Sequence, residues 1–209
     1  MRAYYWLGWV CFFVLGSHLA VAQETAIVST IYGKAWLADG DSLEGQMNLD
    51  FSQDLLEVAM PNRMLKVLSP RQVQVAIFTD EHGNASQTFY VLPYAMRKQY
   101  QVPVFFQMAL QGQKASLLTR NKLITETVPT FDSFVGRTMY YTRTRLIKEM
   151  YLRLPDGNIT YWEGKSENDL YKILPDHQQD LEVFIKNNRL KLADFEDMMR
   201  LIVYYNRLK

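Results

Sequence analysis

The chain has 209 residues, with 23 Lys+Arg against 22 Asp+Glu, one cysteine, 48% apolar residues and 13% aromatics. That apolar content excludes a disordered chain. The near-zero net charge excludes capture of nucleic acid or anionic lipid by bulk electrostatics. One cysteine excludes an internal disulfide, so the core alone must hold the fold.

Arg2, an apolar run from Trp6 to Leu15, and Ala20-Val21-Ala22 predict a secretory signal peptide over residues 1–22, cut before Gln23. Gly16-Ser17-His18 breaks the run, and a spanning helix needs about 20 apolar residues. No transmembrane segment is therefore expected after cleavage. Lipid modification at Cys11 fits poorly, because Gly8-Trp9-Val10 is not a lipobox and lies too early. Cleavage would remove Arg2 and Cys11 together. The remaining 187 residues would carry equal numbers of acids and bases and no thiol. A chain of roughly 150–200 residues is long enough for one well-buried core.

From residue 23 to 164 the hydrophobic period is near two and turn signals recur, which predicts an antiparallel β region. Ala26–Ile31 begins it, outside the signal peptide. Trp36–Ala38 leads into the turn Asp39-Gly40-Asp41. Leu43, Gly45, Met47 and Leu49 then alternate with polar residues as a half-buried strand. Leu55–Met60 turns at Pro61-Asn62-Arg63 into Met64–Leu68, and Val73–Thr79 follows Pro70. Gln87–Leu92 follows a turn at residues 81–84. Val104–Leu110 and Ala115–Arg120 form a hairpin through Gln111-Gly112-Gln113. The less patterned stretch Asn121–Gly136 is expected to include a longer loop. Lys148–Leu154 and Asn158–Glu163 form a last hairpin around Asp156-Gly157. Most glycines are expected at turns or element ends. Short strands on short turns predict a meander, either barrel-like or sandwich-like.

After Gly164 the period becomes about 3.6. Ser166 with Asp169 forms a capping pair before Leu170, Ile173 and Leu174, and Pro175 stops that helix. Leu181, Phe184 and Ile185 share a face of a second helix, capped by Asp176 and ended at Asn187-Asn188. Phe195, Met198, Met199, Ile202 and Tyr205 share a face of a third, from about Asp194 to Asn206. The fold class is therefore α+β: a β region over 23–164 and a bundle of about three short helices over 165–209, docked on it.

Candidate chemistry is sparse. His82 and His177 have no second His or Cys at ligand spacing, so no metal site is expected. Asp39, Asp41 and Glu44 lack the alternating oxygen ligands of a calcium loop, and Asp-Gly-Asp is ordinary turn chemistry. No Gly-x-Ser-x-Gly elbow and no glycine-rich phosphate loop occurs, and no cofactor is expected. Two aromatic-basic patches remain. One holds Tyr90, Tyr94, Arg97, Lys98 and Tyr100, in the loop expected before Val104. The other holds Tyr140, Tyr141, Arg143 and Arg145. Tyrosines stack and arginines make bidentate bonds, so Tyr94, Arg97, Tyr140 and Arg143 are the candidate ligand-binding residues.

The run Tyr151-Leu152-Arg153-Leu154-Pro155-Asp156-Gly157-Asn158-Ile159, then Ser166–Leu170, Leu174-Pro175-Asp176, Phe184–Asn188 and Tyr204-Tyr205-Asn206, resembles the C-terminal part of a group of uncharacterised exported proteins of Bacteroidota. Trp36–Gly45 resembles their strand, Asp-Gly-Asp, strand opening. The resemblance implies a periplasmic or cell-surface location and transfers no activity.

The expected function is a non-catalytic binding or structural module of the cell envelope, with an envelope protein or polymer as partner and no nucleic acid. Two alternatives stand beside it: an envelope hydrolase with a carboxylate-based site, and an integral outer-membrane barrel. The length suits eight membrane strands, although the polar helical tail does not.

Overall fold

The computed structural model describes residues 31–80, 82–97, 100–164 and 166–209. The predicted signal peptide over 1–22 and the predicted strand start before Ile31 lie outside them. The described chain runs β1 (Ile31–Leu37), β2 (Ser42–Asp50), β3 (Leu55–Ala59), β4 (Leu65–Leu68), a 3₁₀ turn (Pro70–Gln72), β5 (Val73–Thr79), β6 (Ala85–Arg97), β7 (Tyr100–Leu110), β8 (Ser116–Asp132), β9 (Arg137–Arg153), β10 (Ile159–Trp162), α1 (Glu167–Ile173), α2 (Gln178–Asn188) and α3 (Phe195–Arg207). The ten strands form one antiparallel sheet in the order β10-β9-β8-β7-β6-β5-β1-β2-β3-β4, followed by three helices. This is the α+β meander with a helical end that the periodicity predicts.

The N-terminal half is rolled. β1 to β4 form a meander, yet β5 returns to the far side of β1 after only a 3₁₀ turn. So short a link requires the end of β4 to lie near the end of β1. The Ala38 N–H donating to the Gln72 carbonyl at 2.9 Å marks that meeting. Inside the roll, period-two residues meet: Ala35, Met47, Leu56, Val58, Ala76 and Phe78, closed by Phe89 and Phe105. The closure is thus a barrel-like roll at one end of a single sheet, with β4 and β10 as its edges.

Gly33 departs from the expectation that most glycines mark turns, while Gly45 lies in the strand that the alternation predicts. They sit mid-strand, directly opposite each other on β1 and β2. A Cβ on Gly33 would strike the Ile77 carbonyl oxygen, and one on Gly45 the Ala59 carbonyl oxygen. The backbones of the roll approach too closely there for any side chain.

The C-terminal half buries two separate cores, because β7–β9 point successive side chains to opposite faces. On one face Leu117, Met150, Leu152 and Trp162 meet Leu170, Leu174, Leu181, Met198, Leu201 and Ile202 from the helices. On the other, Val104, Phe106, Leu118 and Tyr151 form a smaller cluster with Tyr94 packed against it. The helices start as their sequence dictates. Ser166 Oγ accepts from the Asp169 N–H, and Asp194 Oδ1 accepts from the Glu196 and Asp197 N–H groups. His177, in left-handed conformation at φ 60°, takes the N-cap position of α2 that the sequence suggests for Asp176.

Polar contacts tie the helical part to the sheet. Trp162 Nε1 donates to the Leu192 carbonyl at 2.7 Å, in the buried interior. Asn206 on α3 reaches the β7–β8 turn and uses its whole amide. Its Oδ1 accepts from the Lys114 and Ala115 N–H groups, and its Nδ2 donates to the Ala115 and Ile202 carbonyls.

The stretch Asn121–Gly136, expected to include a longer loop, is instead strand as far as Asp132, with a turn only over residues 133–136. β8 and β9 pair continuously from Ser116↔Arg153 to Asp132↔Arg137. β7 pairs with β8 only at Leu117–Thr119, and β10 with β9 only at Met150–Arg153. Beyond these the hairpin projects as a two-stranded arm, exposed on both faces, with Phe131, Phe134 and Val135 bare at its tip. Strand periodicity is visible in a sequence when one face is buried. The arm buries neither, so it shows no apolar alternation.

Candidate functional site

Where the arm leaves the body, a cleft of about 510 Å³ opens between the β2–β3 turn and the exposed side of β8–β9. Its walls include Phe51, Ser52, Tyr94, Arg120, Lys122, Glu149 and Tyr161. That volume is in the range of small-ligand sites.

Sheet register builds its floor. Arg120 on β8 is directly opposite Glu149 on β9, and the next same-face rung inward is Leu118 opposite Tyr151. Paired residues of an antiparallel ladder share a face. Arg120, Glu149 and Tyr151 therefore converge although 29 positions separate the first two. Arg120 is largely buried and its Nη2 donates to Asp54 Oδ1 at 3.1 Å, while its guanidinium lies 5.8 Å from the Phe106 ring centre. Asp54 stands in the β2–β3 turn at φ 57°. Burial pushes its carboxyl above the ordinary value, and the Arg120 charge offsets only part of that.

Glu149 is held from two sides. Lys122 Nζ lies 3.1 Å from Oε1, and the Tyr151 hydroxyl donates to Oε2 at 2.8 Å. Burial, then this hydrogen bond to a carboxylate, holds the Tyr151 phenol far above its ordinary range. Burial also raises Tyr94, with the nearby Glu149 charge adding to it. The rings form an edge-to-face chain, Tyr94 to Phe106 at 5.6 Å, Tyr94 to Tyr151 at 5.4 Å and Phe106 to Tyr151 at 5.0 Å, continued by Tyr161 at 5.3 Å from Tyr151. Such contacts add about 0.5–1.5 kcal/mol each beyond burial and fix the ring positions. At the rim, Asp50 accepts from the Ser52 N–H and hydroxyl and from the Gln53 N–H, which pins the turn carrying Phe51. The Ser52 hydroxyl leads the interactions that lower the Asp50 carboxyl.

The residues predicted from sequence separate. Tyr94 lines the cleft. Arg97 ends β6, its backbone opposite Tyr100, in a strand rather than the expected loop; its side chain lies outside the described residues. Tyr140 and Arg143 are on the arm, opposite Pro129 and Glu126. Being an odd number of positions apart on one strand, they point to opposite faces. Arg143 and Tyr151, which touches Tyr94, are eight positions apart on β9, or roughly 27 Å at the rise of a strand. The two aromatic-basic patches do not share a cleft. Arg143 and Arg145 instead bind Glu126 across the arm, at 2.7 and 3.2 Å.

Sequence reading missed Arg120, Glu149, Tyr161 and Asp54. The available signal was Asp132…Gly136, a turn closed by the Gly136 N–H donating to the Asp132 carbonyl with Gly136 at φ 67°. Placing that turn sets the register and brings Arg120 opposite Glu149.

Elsewhere, His177 Nε2 is 3.2 Å from Lys114 Nζ and its Nδ1 is 3.4 Å from Asp180. Among the described residues no three His, Cys, Asp or Glu are grouped to hold a metal ion, and no helix is long and apolar enough to cross a membrane. Asp39 accepts from the Asp41 N–H within its turn. Comparison with family models, curated proteins and solved structures finds no match.

Proposed function

We propose that the protein is a non-catalytic binding module of the cell envelope, which holds a neutral, sugar-like segment of an envelope polymer in the aromatic cleft. The observation that carries this reading is that the cleft's charges are matched in pairs, Arg120 with Asp54 and Lys122 with Glu149. An ionic ligand would have to break one of those pairs. A catalytic acid or base would need a carboxylate free to exchange a proton, and Glu149 is occupied by Lys122 and Tyr151. Tyr161 and Phe51 offer ring surface for a C–H face, and Ser52 and Asn121 complete the lining beside them. This favours binding over the hydrolase alternative. The sheet turns its apolar faces into three internal cores, which favours it over the membrane barrel. The envelope setting rests on the predicted signal peptide and the resemblance of the two chain ends.

The test is titration of the chain with neutral and with uronic oligosaccharides, followed by calorimetry and by tyrosine fluorescence. Binding of a neutral oligosaccharide, lost in Tyr161→Ala while circular dichroism shows the fold retained, is the expected result. Preference for the anionic series, or hydrolysis of either, sinks the reading.

A further inference from the structure

Past the body, β8 and β9 form a ribbon of ten cross-strand pairs, from Leu123↔Leu146 to Asp132↔Arg137. It is about 30 Å long at the rise of a strand. Two-stranded ribbons are marginal in water on their own, and an unpaired edge is a template for another strand. The two edges of this ribbon differ. β8 carries Pro129, which lacks a donor and blunts its edge. β9 carries Arg137-Thr138-Met139-Tyr140-Tyr141-Thr142-Arg143-Thr144-Arg145-Leu146-Ile147 with no proline or glycine, and is rich in good strand formers. Lys148 ends this free stretch, because its Nζ lies over the Phe195 ring of α3 at 4.4 Å.

We propose that this β9 edge pairs antiparallel with the β9 edge of a second copy, about a two-fold axis at Thr142, making a four-stranded sheet across a dimer. The choice of a second copy rests on self-complementarity. An isologous antiparallel pair places residues of one face opposite each other, so the axis must pass through a residue. An axis at Tyr140 sets Arg143 opposite Arg137 of the second copy. One at Tyr141 sets Arg145 opposite Arg137, one at Arg143 sets Arg143 opposite itself, and one at Thr144 sets Arg143 opposite Arg145. Only Thr142, among these five, puts no arginine opposite another. It places Arg143 opposite Tyr141 and Arg145 opposite Met139, contacts in which a guanidinium packs on an aromatic or thioether. Thr142 is also the midpoint of the free stretch from Arg137 to Ile147, so this register uses its full length. Glu126 neutralises Arg143 and Arg145 from behind, which lowers the repulsion between two basic edges.

The experiment uses the full chain with Cys11→Ser, so that introduced cysteines stand alone. Opposed residues of an antiparallel pair have Cα atoms about 4.5–5.5 Å apart, within disulfide reach. Thr142→Cys is expected to give a disulfide-linked dimer on mild oxidation, while Thr125→Cys on β8 stays monomeric. Light scattering of the unmodified chain is expected to show a dimer. Tyr141→Arg sets two arginine pairs in opposition and is expected to weaken that dimer about tenfold or more, with circular dichroism unchanged. Adding Arg143→Tyr to Tyr141→Arg restores complementarity and the dimer. A monomer at every concentration, equal cross-linking through Thr125→Cys and Thr142→Cys, or no rescue by the double exchange overturns the proposal.

Discussion

The same two strands lead opposite lives at their two ends. Near the body, β8 and β9 give Leu117, Leu118, Tyr151 and Leu152 to two cores and are almost fully buried. Eleven rungs beyond Leu118 and Tyr151 the same ladder holds Tyr140 at 72% exposure, and Phe134 in the turn at its end is fully in solvent. Backbone pairing is continuous throughout, so it is not what distinguishes the halves. Burial supplies the stability of the body, while the arm has only cross-strand pairs of a few tenths of a kcal/mol each. A strand therefore persists in this protein well beyond the point where its own residues explain it.

The comparison breaks most clearly by matched truncation. Leu201→Ala removes a fully buried side chain of the helical core and is expected to cost about 2–5 kcal/mol. Leu146→Ala, on the arm and half exposed, is expected to cost less than about 0.5 kcal/mol. Urea unfolding of both checks it, and equal losses would mean that the arm is packed. Next in size is Asn206→Ala. It frees the Lys114 and Ala115 N–H groups and two carbonyls, for an expected loss of about 2–3 kcal/mol. Asn206→Asp keeps the two acceptances and is expected to lose less. Trp162→Phe leaves the buried Leu192 carbonyl without its donor, at about 1–2 kcal/mol by the same assay.

The smallest effect is the sharpest, because its sign differs between the regions. Hydrogen bonding from Arg143, with Arg145 nearby, holds Glu126 on the arm below the usual carboxylate range. Its support for the arm is present above the unfolded value and is lost as pH falls through the lowered one. Asp54 beneath the cleft is the reverse. Burial raises it, so the folded chain takes up its proton more readily than the unfolded chain does. Its ionisation opposes folding, and that opposition is relieved as pH falls from the folded to the unfolded value. Amide protection, corrected for intrinsic exchange, is expected to fall on the arm between about pH 5 and pH 3. Arg143→Gln should flatten that dependence on the arm, whereas Asp54→Asn should leave it as it was.

Legibility in the sequence follows the same division. The turns at Asp39-Gly40-Asp41 and Asp156-Gly157, strand β5 from Val73 to Thr79, and the cap at Ser166 are all readable. There, local chemistry and one-sided burial agree. Gly33 is not readable as a strand residue, because the neighbour that excludes a side chain comes from β5. The cleft is least readable. Tyr94 was visible as a candidate, but Arg120 and Glu149 acquire meaning only through a register set by a turn at residues 132–136. Arg143 stood out for its aromatic neighbours, and the structure spends it on Glu126 instead.

The roll at the N-terminal end also sets an order of events in time. β1 meets β2 across a short turn, but its other edge must wait for β5, where Lys34 is opposite Ile77. The hairpins β6–β7 and β8–β9 can instead start at their turns, where paired residues are near neighbours, and zip outward one pair at a time. Non-local closure is the slow step in β-rich folding, since loop entropy is lost before any contact repays it. The roll thus governs the pace at which this chain becomes native, and an unpaired β1 is the edge most open to mispairing until β5 arrives.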